Sequence, residues 1–275
     1  MRDGPVQIIV FRRDPLMRTK FFAALALCAA LALPCSAHEL SIKAKSSEVK
    51  KGVPFEATVQ SAHKFIVPEE VEDLSRVKAG IFEDGKFKES KISGNEKELC
   101  IDFTVTPSKD GTMILLATKD GETWCVTNEG GKSGARKALE AKGLKVLSAT
   151  KYDKFAKAII NASMDDSSFS TVVGFPLEVI PVTNPANAKV GEYFDVKILL
   201  DGQPYTGPVW ATYDGFVTEY ENTYAYYTEA QSGTAYIKIT APGLWGVRAM
   251  QAGLPGREGD YDSMSYRAFL LFEVK

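Results

Sequence analysis

Apolar residues in this chain recur at every second position in short runs that end on Gly, Pro, Asp or Asn. That pattern admits strands and turns and leaves little room for helices. Phe55-Glu-Ala-Thr-Val59, Ile101-Asp-Phe-Thr-Val105 and Met113-Ile-Leu-Leu-Ala117 are examples, and Asp201-Gly202 is a tight-turn signal between two such runs. Helical spacing is confined to the middle. Ala135 to Lys142 has room for two turns, and Tyr152, Phe155, Ala156 and Ile159 predict a helix over 152–162. The polar break at 164–170 divides the rest into segments of ordinary domain size. The expected fold is mainly β, with two sandwich-like domains at 38–170 and 171–275 and one or two short helices between. Seven or so short strands make the second domain immunoglobulin-like, with Trp210 and Trp245 expected in its core.

Residues 17–37 read as a secretory signal peptide, with Met17 as an alternative start. Arg18 and Lys20 precede an uncharged apolar run from Phe21 to Leu33, and Pro34-Cys35-Ser36-Ala37 supplies the helix break and small residues of a cleavage site. A run of about 13 residues falls short of the roughly 20 needed to span a bilayer, so no transmembrane anchor is expected after removal. The protein is expected to be periplasmic. The chain carries 33 Lys+Arg against 35 Asp+Glu, and taking away residues 1–37 leaves 28 against 33, a formal −5. Mild acidity argues against nucleic acid as a partner. Cys100 and Cys125 remain as an even pair in an oxidising compartment, which predicts a structural disulfide, with two free thiols as the alternative.

Two histidines occur in the chain. Cleavage after Ala37 makes His38 the first residue, and His63 follows 25 positions on. The segments 40–49 and 53–59 alternate about a turn at Lys50-Lys51-Gly52. Folded as an antiparallel pair about Lys51, their partners sum to about 102 in residue number, and His38 and His63 sum to 101. Facing residues then have Cβ atoms roughly 4.5–5.5 Å apart, within joint reach of a metal bound at about 2.0–2.1 Å per nitrogen. A slip of one residue would point the rings to opposite faces. A freed amine, the imidazole beside it and a second imidazole make a nitrogen-rich site suited to copper(II) or nickel(II). Glu39, Glu69, Glu70 and Asp73 are weaker candidates for a further ligand. The bland alternative is a permissive cleavage site at His38 and a hydrogen-bonded strand-end residue at His63.

The runs His63-Lys-Phe-Ile-Val-Pro-Glu-Glu-Val-Glu-Asp73, Lys151-Tyr-Asp-Lys-Phe-Ala-Lys-Ala158, Pro176-Leu-Glu-Val-Ile-Pro-Val-Thr-Asn-Pro185 and Gly243-Leu-Trp-Gly-Val-Arg248 carry a family resemblance. Together they resemble an exported bacterial family, domain of unknown function 4198, whose members are often described as periplasmic components of cobalt or nickel uptake systems. The resemblance implies a two-part β architecture and a link to metal uptake; for that role a membrane metal transporter is the expected partner, with the C-terminal sandwich as scaffold or docking surface. A histidine just after the signal is also implied, and His38 matches that position.

Two other functions compete with metal handling. An enzyme has little to stand on: no Gly-x-Ser-x-Gly elbow occurs, and Gly130-Gly131-Lys132-Ser133 lacks the upstream glycine of a phosphate loop. A copper-dependent oxidative enzyme using an N-terminal histidine brace is the one enzymatic alternative. The second is a carbohydrate- or protein-binding module. Tyr220, Tyr224 and Tyr226 share strand parity, with Tyr213 and Tyr236 placed on adjoining strands, although such tyrosines more often cover a sandwich face. The reading adopted is a periplasmic, non-enzymatic metal-binding protein assisting nickel, cobalt or copper uptake.

Overall fold

The computed structural model describes residues 38–46, 49–217 and 219–275; the leader read over 1–37 lies outside them. The first half contains β1 (Glu39–Ala44), β2 (Phe55–Ala62), β3 (Val77–Glu83), β4 (Lys86–Glu89), β5 (Ile92–Asn95) and β6 (Cys100–Val105). It continues with β7 (Met113–Lys119), β8 (Thr123–Thr127), β9 (Gly130–Ser133) and β10 (Val146–Ile160). The second half contains β11 (Leu177–Pro181), β12 (Tyr193–Leu200), β13 (Gln203–Pro204), β14 (Gly207–Tyr213), β15 (Tyr226–Ala230), β16 (Thr234–Lys238), β17 (Gly243–Arg257) and β18 (Tyr261–Val274). One short α-helix, Arg136–Glu140, lies where two turns were expected.

The strands form three sheets. The first has the order β1-β2-β6-β5. The second, of ten strands, runs β15-β14-β17-β18-β10-β7-β3-β4, with β8 on β10 and β9 on β8. The third joins β11, β12 and β13, with β16 also on β12. Side-chain alternation shows how they stack. Ile114, Leu116, Phe155, Ile159, Ala268, Leu270 and Phe272 pack with Leu177, Val196, Ile198 and Ile237 of the third sheet. Their neighbours Leu115, Ala117, Ala156, Ala158, Phe269 and Leu271 pack with Leu40, Ile42, Val59, Ile101 and Phe103 of the first. The ten-stranded sheet is therefore the middle layer of three, and its strands β7, β10 and β18 are covered on both faces.

That burial corrects the helix expected over 152–162, which is the second half of β10 and the few residues after it. A strand covered on both faces loses its period of two: residues 154–159 are all buried, so its apolar residues fall at positions that helical spacing also fits. The segments expected as separate domains also share this sheet. β10 pairs in parallel with β18, from Thr150↔Ser263 to Ala158↔Leu271, and the described residues form one compact unit. Trp245 is fully buried in the core between the second and third sheets, as expected, whereas Trp210 is only partly buried. Asp201 and Gly202, both at positive φ, make the predicted tight turn between β12 and β13.

The expected disulfide is absent. Cys100 and Cys125 are free, buried thiols, one at the start of β6 and the other in β8, in different sheets. Cys125 Sγ donates to the Gly134 carbonyl at 3.3 Å, and burial pushes both thiols above the usual range.

Candidate metal centre

The hairpin of β1 and β2 lies one step from the sum of about 102 expected for a turn centred on Lys51, and on the sum of 101 that His38 and His63 make. Glu39 faces Ala62, Leu40 faces Ser61 and Ile42 faces Val59, so each pair sums to 101. One step beyond the last pair, His38 and His63 meet with ring centroids 3.9 Å apart and planes inclined by 48°. The register is held by Leu40 and Ile42, each 1% exposed, since a slip would exchange them for polar neighbours.

After His63 the chain doubles back over the hairpin. Val67 N–H donates to the Lys64 carbonyl at 3.2 Å, and Glu69 N–H donates to the Ser61 carbonyl at 3.0 Å. The reversal places Ile66 at φ +50°, a conformation that β-branched residues avoid and that costs on the order of 1–3 kcal/mol. Burial of the Ile66 side chain holds it there. The turn delivers Glu69 to the two rings. Its Oε2 lies 2.8 Å from His63 Nδ1 and 3.2 Å from His38 Nε2, and its Oε1 accepts the His63 backbone N–H at 3.1 Å. Burial works to raise the Glu69 carboxyl, but the His63 ring and backbone bonds outweigh it and hold the group below the usual carboxylate range. One ligand atom from each of His38, His63 and Glu69 fits within 4.8 Å of the others. All three side chains are partly exposed, at 22%, 15% and 27%, so the cluster opens to solvent.

Of the other carboxylates expected near the histidines, Glu70 stays beside them and two turn to other partners. Glu70 stands beside the cluster, with Oε1 2.7 Å from His38 Nδ1, but outside the three-ligand group. Asp73 accepts from the Ser75 hydroxyl and N–H, which lower its carboxyl and cap a short 3₁₀ turn. Glu39 is 7% exposed, and its Oε1 lies 2.8 Å from Arg248 Nε and 2.9 Å from Arg267 Nη1. The Arg248 approach is a charge contact rather than an aligned hydrogen bond.

Residues that sequence pattern did not single out form the floor beneath this site. Lys119 pairs with Lys154 across β7 and β10, and Lys154 with Arg267 across β10 and β18, so three cations stand side by side. Like charges in that arrangement repel. Glu72 relieves them: it pairs with Lys119, lies 3.6 Å from Lys154 Nζ and accepts from Ser61 Oγ at 2.7 Å. Burial, and next the Lys119 charge, push Lys154 down to about 8. The polar residues interrupting the otherwise apolar strands β7, β10 and β18 are the signal that marks this layer.

The tyrosines do not form one platform. Tyr236 lies on β16 of the third sheet, and Tyr213 lies on β14 of the middle sheet, its ring centroid 5.0 Å from that of Trp245 with planes inclined by 38°. Tyr220 is exposed, whereas Tyr224 leans on Trp210 and Arg248.

No curated protein matches the chain. Among solved structures, the D0-D1 domain of Intimin is 12% identical over 85% of this chain and 97% of that one, with a TM-score of 0.22, too distant to carry an argument. Residues 35–253 match the family described as Domain of unknown function (DUF4198), and the chain belongs to that family.

Proposed function

We propose that this protein is exported and binds a divalent late transition-metal ion through His38, His63 and Glu69, assisting uptake or handling of nickel, cobalt or copper. The observation that carries the reading is the convergence of two imidazoles and a carboxylate, with one ligand atom each, inside 4.8 Å. The donor set fits the ion class. Imidazole suits these metals, and a single carboxylate adds charge without selecting a hard oxygen-only cation such as calcium. Glu69 serves as the third ligand, and Glu70 orients the His38 ring through Nδ1. With Nδ1 turned to Glu70, the His38 ring offers Nε2 to the ion, and the His38 amine, which could chelate only together with Nδ1, stays outside this set.

Without a metal the same three groups satisfy one another by hydrogen bonding, and that is the reading to be beaten. Protein beginning at His38 is titrated with Co(II), Ni(II) and Cu(II) alongside His63→Ala. The expected result is one ion per chain and at least a tenfold loss of affinity in the variant. Equal affinities would remove the proposal and leave a hydrogen-bonded cluster.

A further inference from the structure

The geometry points to Arg248 as the positioning residue that holds both candidate metal-binding histidines in one place, an inference that rests on the metal reading for its function but not for its structural test. A closed chain of contacts joins the two imidazoles through this side chain. On one side, Arg248 Nε meets the carboxylate of Glu39 at 2.8 Å, and Glu39 is bonded directly to His38 in the chain. On the other, Arg248 Nη1 donates to the Tyr224 hydroxyl at 3.3 Å, with the guanidinium carbon 5.5 Å from the Tyr224 ring centroid. Two residues before Tyr224, the Asn222 N–H donates to the His63 carbonyl at 2.9 Å. Glu39, His63 and Tyr224 also line a common small cavity of about 20 Å³.

Arginine is suited to this position by shape as well as charge. Its guanidinium carbon lies over the Trp210 ring, 4.6 Å from the centroid, and its separate nitrogens reach Glu39 and Tyr224 at once. A lysine carries the same charge on one atom and cannot occupy both contacts while stacked. The side chain is 8% exposed, and it belongs to a strand pinned on both edges, by β14 and β18. The histidines, by contrast, stand at the open end of an edge hairpin. The rigid middle layer thus fixes the less supported strand ends, the relation expected of groups supporting a preorganised metal site.

The test uses protein beginning at His38 in three variants: Arg248→Lys, which keeps the buried charge; Tyr224→Phe, which removes one hydroxyl; and Ile237→Val, a remote core change that lowers stability alone. Two histidines give two imidazole spin systems, so the nuclear Overhauser effect between the rings reports their juxtaposition in metal-free protein. Co(II) affinity and its d–d spectrum report the site when loaded. Arg248→Lys should lose the inter-ring effect, weaken Co(II) binding about tenfold or more and shift the spectrum. Tyr224→Phe should show a smaller loss in the same direction, and Ile237→Val none. The inference is overturned if Arg248→Lys keeps the inter-ring effect and binds Co(II) within twofold, or if Ile237→Val does as much damage. Should Arg248→Lys fail to fold, Tyr224→Phe decides by the same readouts. Native protein that shows the inter-ring effect but no Co(II) binding would reject the metal reading, and the ring contact alone would then judge the role of Arg248.

Discussion

Glu69 does two separable things, and replacing it with Gln or Ala separates them. Its Oε1 accepts the backbone N–H of His63 at 3.1 Å and, more weakly, that of Lys64 at 3.4 Å, while Oε2 faces both rings. A hydrogen bond to a charged acceptor contributes about 1.5–3 kcal/mol. With the second bond long and the carboxylate partly in water, Glu69→Ala should cost about 2 kcal/mol in metal-free protein. For a domain of this size that lowers Tm by roughly 4–8 °C. Gln keeps an oxygen for the backbone bonds and should cost under about 1 kcal/mol. Both variants lack the anionic ligand, so each should lose at least about tenfold in Co(II) affinity, or 1.4 kcal/mol. The pH dependence follows from the lowered Glu69 carboxyl. Its stabilisation is present above the ordinary carboxylate value near 4.5 and fades as pH falls through the lower folded value, so the Tm gap to Glu69→Ala should close in acid. The assays are thermal unfolding from pH 3 to 7 and Co(II) titration at pH 7. The reasoning is refuted if Ala and Gln destabilise equally, or if either binds Co(II) as the native protein does.

Two further changes probe the layer beneath the site. Lys154 releases its proton near pH 8 in the folded state against 10.5 when exposed, so the unfolded chain binds more protons between those values. Stability contributed at this position should therefore rise with pH across that window, and Lys154→Met should flatten the rise in urea unfolding series; an identical slope in both proteins would count against the assignment. A Cβ on Gly246 would lie 2.3 Å from Phe269 and 2.6 Å from Phe65, so Gly246→Ala should cost about 1–3 kcal/mol through overpacking, and an unchanged denaturation midpoint would contradict the packing described.

Period-two patterning, turn residues and a number sum were enough to identify a β protein and to bring His38 opposite His63, because a hairpin's register depends on residues close in sequence. Local pattern could not tell which of Glu39, Glu69, Glu70 and Asp73 would join them. That choice came from a reversal forced through Ile66, and from two arginines more than 200 positions away that draw Glu39 aside. The same limit explains β10, whose sequence looked helical because layers on both sides bury it, and the cysteines, whose even number says nothing about distance. Sequence determined that most segments extend and how adjacent ones turn back on each other; the stacking of three sheets decided which charges meet, since contacts between layers join residues that no local period links.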